Sequence, residues 1–344
     1  MNLQTSLGSF LIRRAFNAVV TIFLLLLITF LLIHLILPTP EAMAKLYVGD
    51  AHYTPSELQS IITLYGLNKP LYVQFISYVQ SLLRGSVIDP IYGAPVMSLI
   101  DKFLPVTFEL VVVVIMAEVS VGVLLGGLAA LNRGKAVDWG IKALYLLAWA
   151  APIFLWATLM QFFFAYDLKL LPAMNVANPI LVPPKPITGY PLIDSAIEGD
   201  WVYFRSVLKH MVLPVVTLAL LGFGGTTRLT RSSTLRVMDK DYVKLAYMKG
   251  MSDGQVFKSA VLRNSIIPII TMTALHFGYA IGGAVIAEEI FLYKGMGFFM
   301  NQAIMNLDLP VVMTTTLLIG ISVAVANLVA DLLYAAVDPR VRVR

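Results

Sequence analysis

The chain has 344 residues, of which 58% are hydrophobic and 13% charged, and its mean hydropathy is +0.81. A soluble domain of this composition would have more apolar surface than its core could cover, so the composition predicts an integral membrane protein. The chain has no cysteine, which excludes disulfides, thiolate metal sites and thiol nucleophiles.

Six stretches are apolar and long enough to cross a hydrocarbon core of roughly 30 Å at about 1.5 Å per residue. They are predicted at 15–37, 106–131, 141–165, 208–225, 265–287 and 311–335. The first exceeds the apolar region of a signal peptide, which is roughly 7 to 15 residues, so it is predicted to be retained as a span. Pro214 interrupts the fourth, an irregularity that neighbouring helices can tolerate.

The distribution of charge predicts the orientation, because Lys and Arg concentrate on the cytoplasmic side of membrane proteins. With the N-terminus inside, the inner segments hold sixteen of the twenty-five Lys and Arg residues. Twelve of the twenty Asp and Glu residues then lie outside. Both termini are therefore predicted to be cytoplasmic. This topology also accounts for the pI of about 9.2, so nucleic-acid binding is not predicted.

Two polar segments fall on the predicted outer side. Residues 38–104 contain a helix start at Pro55 and are expected to form a small external cap. Residues 167–209 carry six prolines, which disfavour regular helix and favour an extended, solvent-facing path. A flexible insertion without a specific role and a contact surface for a partner protein are both open interpretations of this second segment.

Two carboxyl groups lie within the second predicted span. Glu118 is near its middle and Glu109 is nearer its outer end, on the opposite helix face, so the two cannot form one carboxylate pair. A charge at the bilayer centre costs about 3 kcal/mol on insertion scales. Glu118 is therefore predicted to be a protonated or hydrogen-bonded structural carboxyl, with a role in a transport pathway as the alternative. His276, in the fifth span, is predicted to be a hydrogen-bonded packing histidine, with a ligand role as the alternative.

A basic, polar segment between the fourth and fifth spans is predicted to form two short helices. Val243, Ala246 and Tyr247 share one face of the first helix, and Gly250 provides the left-handed conformation that ends it. Ser252 and Gln255 have the spacing of a capping box that begins the second helix. The apolar stripe of the second helix consists of Val256, Phe257, Ala260 and Val261. Such a helical pair is too short to span a membrane, so it is expected to dock on lipid or on a soluble partner.

The chain lacks several catalytic motifs. It contains no G-x-x-x-x-G-K-[ST] phosphate loop and no H-E-x-x-H motif, and its four histidines are not at metal-ligand spacing. The sequence therefore predicts no ATP hydrolysis, no cofactor and no metal site in this chain. Gly122-x-x-x-Gly126 and Gly278-x-x-x-Gly282 are predicted to serve helix packing.

The basic segment resembles the coupling loop of binding-protein-dependent ABC importer permeases, in the form found in the dipeptide and oligopeptide permease family. Residues that fit the family pattern are Asp241, Tyr242, Val243, Ala246, Lys249, Gly250, Ser252, Leu262, Arg263, Asn264 and Pro268. The broader superfamily has Glu-Ala where this chain has Lys244 and Leu245, and proline where it has Arg263. The chain thus follows the family variant and departs from the general pattern.

The resemblance extends to the rest of the chain. Glu288, Phe291, Gly295 and Gly297 resemble a family segment that implies an external gate, with Lys294 where proline is usual. The residues from 327 to 342 resemble the family's C-terminal pattern and include Asp331. Glu109 and Asp331 match family positions, which implies structural contacts between helices.

The fold predicted from these observations is all-α and membrane-integral, with six transmembrane helices, a cytoplasmic coupling helix and a small external cap. Its regions are an N-terminal helix at 1–37, the cap at 38–104, and a permease core at 105–344 with the Pro-rich external loop at 167–209 and the coupling loop at 227–264. The residues implied in coupling to an ATPase are Tyr242, Val243, Ala246, Tyr247, Gly250, Ser252, Phe257, Arg263 and Asn264. The gate or pathway candidates are Glu118, His276, Glu288, Phe291, Gly295 and Gly297.

The resemblance also implies function and partners. The chain would form half of a pathway in the plasma or inner membrane, together with a second permease, two ATPase subunits that bind ATP and Mg, and an external solute-binding protein. The implied substrate is a peptide, with oligosaccharides and metal chelates as further classes. An ion-coupled secondary transporter and a membrane-embedded enzyme are the alternative functions. The first usually shows internal repeats, and the second needs convergent catalytic residues on facing spans.

Overall fold

The computed structural model of the protein describes residues 7–48, 53–89, 93–265, 267–306 and 308–337. In these ranges the regular structure is helical, with one isolated bridge between Ile88 and Pro95. Four helices are long and apolar enough to cross a membrane, and a bent pair of helices makes a fifth candidate. By length and composition this is the pattern of a multi-pass membrane protein.

The helices follow one another along the chain with mostly short connections, of which the one at 168–190 is the longest. They are α1 (Leu7–Ile36), α2 (Pro40–Val48), α3 (Pro55–Tyr65), α4 (Leu71–Leu83), α5 (Val96–Leu131), α6 (Ala136–Ala150), α7 (Ile153–Met160, continued by a π-helical segment Gln161–Asp167), α8 (Pro191–Glu198), α9 (Trp201–Met238), α10 (Asp241–Met248), α11 (Asp253–Val256, continued by π-helical turns Phe257–Leu262), α12 (Arg263–Ser265), α13 (Ile267–Ile290), α14 (Met296–Met305) and α15 (Leu309–Val337).

Helices α2, α3 and α4 form a small cap over one end of α1 and α15. Helix α3 begins with a capping box, in which Thr54 Oγ1 accepts from the Glu57 N–H at 3.3 Å and Glu57 Oε2 accepts from the Thr54 N–H at 2.7 Å. It ends at Gly66, which has a φ of 63°. The buried apolar residues beneath the cap come from α1, the cap helices and α15: Phe30, Ile33, Met43, Ala44, Ile62, Leu67 and Met313. We call the end of the molecule that carries α2, α3 and α4 the cap end.

The predicted third span, 141–165, is not one straight helix. Helices α6 and α7 are bent by 103° at Ala151 and Pro152. Proline lacks the N–H that would continue the helix, and it forces the preceding residue out of the helical region. Ala151 is accordingly extended, with φ −113° and ψ 142°. The indole Nε1 of Trp156 donates to the Ala148 carbonyl at 2.9 Å and braces the bend.

The predicted Pro-rich loop is more regular than its composition indicates. Helix α8 begins at Pro191, and α9 begins at Trp201 rather than at 208, so the expectation of an extended path across 167–209 is wrong from Pro191 onward. Asp200 caps α9 by accepting from the N–H groups of Val202 and Tyr203 at 3.1 and 2.9 Å. Helix α9 then runs through Pro214 to Met238.

The most extensive helix contact is between α5 and α9. It is close because α5 presents Gly122 and Gly126 to Thr226 and Thr230 of α9; a Cβ on Gly126 would lie 2.5 Å from the Thr230 Cβ. The second glycine pair behaves differently. A Cβ on Gly278 would lie 3.2 Å from Val323 of α15, whereas no atom lies within 4 Å of a Cβ on Gly282. Both glycines of the first pair therefore pack α5 against α9. In the second pair, only Gly278 packs α13 against α15.

Candidate functional site

Residues 241–265 form a helical hairpin, the basic hairpin, at the end of the molecule opposite the cap. Its turn follows the predicted chemistry. Gly250 has a φ of 78°, and its N–H donates to the Tyr247 carbonyl at 2.9 Å. The N–H of Ser252 donates to Gln255 Oε1 at 3.0 Å, which is one half of the expected capping box. The turn thus ends α10 and begins α11 within a few residues.

The hairpin has a small apolar core of its own. Val243 and Ala246 of α10 are 2% and 8% exposed and pack against Val256 and Val261 of the second helical segment. Sequence periodicity assigned Val243 and Ala246 to the docking face. In the structure they hold the two arms of the hairpin together, so they are not available on its surface.

A different face of α10 is exposed. Leu245 is 51% exposed and Met248 82%, and Tyr242 lies one turn before Leu245 on the same side. Exposed lysines at 244 and 249 flank these apolar groups. We call Tyr242, Leu245 and Met248 the exposed face. Sequence reasoning identified Tyr242 but missed Leu245 and Met248, although the spacing of 242, 245 and 248 signals a helix side as clearly as 243 and 246 do. Tyr247, the remaining predicted residue of α10, is also partly exposed.

The hairpin is attached to the long helices at two places. Val237 and Met238, at the end of α9, pack on the hairpin core. Phe257 reaches α5, where its Cζ would lie 3.3 Å from a Cβ on Gly127. Asn264 Nδ2 donates to the Ala260 carbonyl at 2.7 Å, a local contact. The side chain of Arg263 lies outside the described part of the chain. Phe257 therefore links the hairpin to α5 by a direct contact.

An ion pair that sequence reasoning missed lies near the hairpin. It joins the first turn of α6 to the C-terminal part of α9. Asp138 is fully buried, and Arg231 donates to both of its oxygens at 2.7 and 2.8 Å. Lys142 and the Gly134 N–H complete the coordination of the carboxylate at 3.2 and 3.0 Å. A bidentate guanidinium with further donors satisfies a buried carboxylate. The two residues are 93 positions apart, so no local pattern indicates this contact.

Glu118 and His276 meet near the middle of the helix bundle. His276 Nδ1 lies 2.5 Å from Glu118 Oε1, and Thr226 Oγ1 donates to the same oxygen at 2.9 Å. The carboxyl group occupies the space that a side chain on Gly222 would fill. Three helices, α5, α9 and α13, are thereby joined through one carboxyl group. Glu118 is hydrogen-bonded and buried, and His276 keeps a partly exposed edge.

At the cap end, Glu288 binds the start of α14. Its carboxylate accepts from the N–H groups of Gly297 and Phe298 at 2.7 and 3.0 Å and from Thr107 Oγ1 at 2.5 Å. Thr107 Oγ1 in turn accepts from the Met296 N–H at 2.7 Å. We call Thr107, Glu288, Gly295 and Gly297 the glutamate clamp. A side chain on Gly295 would collide with Glu288, and one on Gly297 with the backbone of Val285.

The clamp explains why this segment needs glutamate and glycines at these positions. A carboxylate at a helix N-terminus satisfies free N–H donors and interacts favourably with the helix dipole. Phe291 is buried beside it, and its carbonyl accepts from the Asn175 N–H at 2.9 Å, which ties the Pro-rich loop to α13. All four residues predicted for the gate in this segment therefore contact other residues of the same chain.

Glu109 binds the start of a second helix, α8, at the cap end. Its Oε1 accepts from the Leu192 N–H, in the first turn of α8, at 3.0 Å. Glu109 and Glu118 have separate partners, in agreement with their positions on opposite faces of α5. Asp331 belongs to α15, but its side chain lies outside the described part of the chain. Among the described residues, no group of three or more His, Cys, Asp or Glu side chains could hold a metal ion.

Family models match nearly the whole chain. The model of the binding-protein-dependent transport system inner membrane component matches residues 122–343, and the model of its N-terminal part matches residues 7–119. The chain belongs to this family of inner-membrane transport components. The permease is therefore a transport subunit and not an enzyme.

Curated relatives cover the permease from end to end. It is 33% identical over 337 residues to the di/tripeptide transport system permease DppB of Pseudomonas aeruginosa, with 97% of this chain and 98% of the relative covered. It is 31% identical over 341 residues to the dipeptide transport system permease DppB of Escherichia coli K12, with the same coverage of both chains. The probable D,D-dipeptide permease DdpB of the same strain is 32% identical over 334 residues, with 97% of each chain covered.

Proposed function

We propose that this permease forms half of the membrane pathway of an ATP-driven importer for short peptides. The observation that carries the proposal is its likeness, over almost its whole length, to permeases named for dipeptide transport. In this assembly the chain pairs with a second permease, two separate ATPase subunits supply ATP hydrolysis with Mg, and an external solute-binding protein delivers the peptide.

The basic hairpin is the docking element for an ATPase subunit in this proposal. Its own core keeps the two arms together, so the exposed face of Tyr242, Leu245 and Met248 is free to enter a groove of a soluble partner. Apolar anchors surrounded by polar residues are the composition expected at the centre of an interface. Phe257 then passes the movement of the ATPase to α5.

The proposed topology has six spans, with α13 as the span that joins the hairpin to the cap end. Helix α13 has 24 residues, or about 36 Å at 1.5 Å per residue, which is enough to cross the hydrocarbon core. The basic hairpin and both termini then face the cytoplasm, in agreement with the excess of Lys and Arg in those segments. The cap, α8 and α14 face outward, where a binding protein delivers substrate.

The test is reconstitution of the complete assembly. The permease, its ATPase subunits, the second permease and the binding protein are placed in proteoliposomes, and uptake of labelled Ala-Ala is measured with ATP inside or outside. ATP on the ATPase side should drive uptake, and Ala-Ala with its binding protein should stimulate hydrolysis. The isolated permease should hydrolyse no ATP.

Two results would contradict the proposal. Uptake that follows an ion gradient and ignores ATP would favour an ion-coupled secondary transporter. Nucleotide turnover by the isolated, contaminant-free permease would contradict the assignment of ATP hydrolysis to separate subunits.

A double variant tests the docking face of the hairpin. Leu245→Arg with Met248→Arg should insert into the membrane normally, yet the permease should lose its stoichiometric ATPase subunits on mild purification.

A further inference from the structure

We propose that a groove between α1, α13 and α15 binds one phospholipid, with an acyl chain along the groove and the phosphate at its polar mouth. This assigns the permease a ligand besides the transported peptide. The proposal takes one element from the proposed function, the topology, which places the mouth of the groove in the cytoplasmic leaflet of the bilayer.

The groove has a volume of about 710 Å³ and is lined by three long helices. Residues of α1 between positions 14 and 25 form one wall, and residues of α15 between 316 and 328 form the opposite wall. Gly282 opens into the groove from α13, and no described atom lies within 4 Å of a Cβ at this position. The groove therefore explains why Gly282, unlike Gly278, packs against no neighbouring helix.

The groove has the depth of one acyl-chain layer. Helices α1 and α15 run in opposite directions, since the end of α1 and the start of α15 both contribute to the core beneath the cap. They meet where a side chain on Gly320 would collide with Leu25. From Leu25 the groove follows α1 back to Arg14, away from the cap, over about 17 Å at about 1.5 Å per residue. One leaflet contributes about half of a hydrocarbon core of roughly 30 Å.

The groove is too narrow for a helix of another subunit. A volume of about 710 Å³ along about 17 Å corresponds to a mean width of about 7 Å, whereas a helix with its side chains is about 10–12 Å across. A flexible hydrocarbon chain is thin enough to enter. The inner end is closed by α14, where Met300 Sδ lies 4.0 Å from Thr316 Oγ1. The shape therefore favours an acyl chain that enters from the mouth.

The polar lining residues are concentrated at the mouth. Arg14, Asn17 and Asn327 line this end, whereas Leu25 and Ile286 line the inner end. Asn17 and Asn327 are at the same level, because each lies about two turns from the contact between α1 and α15. Carboxamide and guanidinium N–H groups donate to phosphate oxygens. None of the described residues that line the groove is acidic.

This order of groups matches the order along a phospholipid. Donors at the membrane surface contact the phosphate, and apolar side chains below them contact the acyl chain. The same half of α1 makes little contact with the core: residues 12–17 are exposed, whereas Leu26, Phe30 and Ile33 are buried. A lipid in the groove would fill the space between α1 and the other two helices. It should therefore stabilise the folded permease, to which it binds.

The experiment measures phospholipid binding in the complete importer. The assembly is stripped of lipid in dodecyl maltoside, a detergent without phosphate, and phosphatidylglycerol with a diazirine halfway along one acyl chain is added in increasing amounts. After irradiation, the labelled residues are identified by mass spectrometry. Diacylglycerol with the same diazirine chain is the matched ligand, since it has the apolar chains and lacks the phosphate.

Labelling of the groove residues should saturate at one lipid per permease. Labelling of exposed apolar positions elsewhere, such as Met116 and Leu124 of α5, should rise in proportion to the lipid added. Diacylglycerol should require severalfold more ligand to label the groove. Asn17→Leu with Asn327→Leu should remove this difference, because the carboxamide donors at the mouth are lost while the apolar part remains.

Two variants fill the groove from different helices. Gly282→Phe on α13 and Ala18→Phe on α1 each place a ring in the space of the acyl chain, so both should lose most of the groove labelling. Gly140→Phe, at an exposed glycine of α6 with open space at its Cβ, is the matched control and should label like the parent. Added phosphatidylglycerol should raise the melting temperature of the parent and of the control more than that of the filled variants.

The proposal is overturned if the groove is not labelled, if its labelling rises without saturation, if diacylglycerol labels it at the same concentration, or if both filled variants label like the parent. A cross-link from Ala18→Cys, labelled with benzophenone maleimide, to the second permease would overturn it by showing that this subunit occupies the groove. Lipid labelling requires no ATP. Any of these results in a complex that imports Ala-Ala with ATP overturns the lipid site alone, whereas ATP-independent uptake contradicts the proposed function alone.

Discussion

The glutamate clamp holds the short helix α14, and the basic hairpin contains the short helix α10. The two regions differ in which side chains they leave exposed. In the clamp, the carboxylate of Glu288, the hydroxyl of Thr107 and the first N–H groups of α14 satisfy one another. In the hairpin, α10 buries Val243 and Ala246 and leaves Leu245 and Met248 in contact with solvent. A segment that completes its own contacts positions other parts, and one that keeps apolar side chains exposed is suited to a partner.

The largest effect on the stability of the whole permease is expected from Gly297→Ala. The added Cβ would meet the backbone of Val285, which cannot move aside as a flexible side chain could. Overpacking of this kind costs about 1–3 kcal/mol. Thermal unfolding of the purified permease in detergent should show the loss.

Gly282→Ala is the matched control for the clamp, since it lies in the same helix as Glu288 and has no atom within 4 Å of the added Cβ. It should be neutral or slightly stabilising, because alanine favours a helix over glycine by about 0.5–1 kcal/mol. Equal destabilisation by the two changes would mean that the clamp is not the reason for glycine at 297.

Ala246→Arg should separate the inside of the hairpin from its exposed face. Arginine at 246 must enter the hairpin core, where burial of an unpaired charge costs several kcal/mol, so the hairpin should open. Limited proteolysis of the isolated permease should then cut within 241–265. Leu245→Arg changes the exposed face and should leave the proteolysis pattern as it is. If Ala246→Arg leaves the hairpin resistant but releases the ATPase, position 246 contacts the partner after all.

Gly250→Val should weaken the hairpin by a smaller amount. A β-branched residue at a φ of 78° costs roughly 1–2 kcal/mol, and the turn also closes the hydrogen bond from the Gly250 N–H to Tyr247. Hydrogen exchange of the 241–265 amides should become faster. Gly254→Val, in the next helix and with open space at its Cβ, is the control and should change exchange little.

The smallest effect concerns the pH response of the cap. Asp308 lies before α15, and burial together with the neighbouring Asp89 carboxyl raises its pKa from 3.8 to about 7. Between about pH 4 and 7 the folded state therefore holds a proton that the unfolded chain releases, so stability falls as pH rises through this window.

Asp308→Asn should remove part of this loss. At pH 8 the variant should be more stable than the parent by on the order of 1 kcal/mol, or about 2 °C in melting temperature. Asparagine also retains the ability to cap α15, where Asp308 accepts from the Val311 N–H at 3.2 Å. Asp101→Asn, at an exposed position of α5, should show no such pH-dependent gain. A variant that is less stable than the parent at pH 8 would contradict this account.

Local chemistry predicted the turns well. The left-handed Gly250, the Ser252–Gln255 contact and the capped start at Pro55 depend on residues within a few positions, and these are visible in the sequence. The apolar length of the chain likewise predicted most of the long helices. Periodicity could not decide which side of α10 is covered, because residues 242, 245 and 248 form an apolar side next to that of 243 and 246. The second helical segment decides it by packing on one of the two.

Contacts between distant residues were beyond sequence reasoning. Asp138 with Arg231, Thr107 with Glu288 and Glu118 with His276 join positions 93, 181 and 158 residues apart. A motif indicates that glutamate and glycines occur together, but not that the carboxylate caps a helix start. The bend between α6 and α7 is different, since Pro152 in the middle of the predicted span is a local signal for it in the sequence.

The central claim is that the exposed face of α10 contacts a separate ATPase subunit. Met248→Cys, in a chain with no other cysteine, is labelled with benzophenone maleimide and irradiated in the assembled importer. The account predicts a cross-linked product that contains this permease and an ATPase subunit, and no such product from Leu64→Cys, an equally exposed position on the cap. An ATPase subunit that co-purifies without cross-linking to 248, or that cross-links equally to 64, would contradict it.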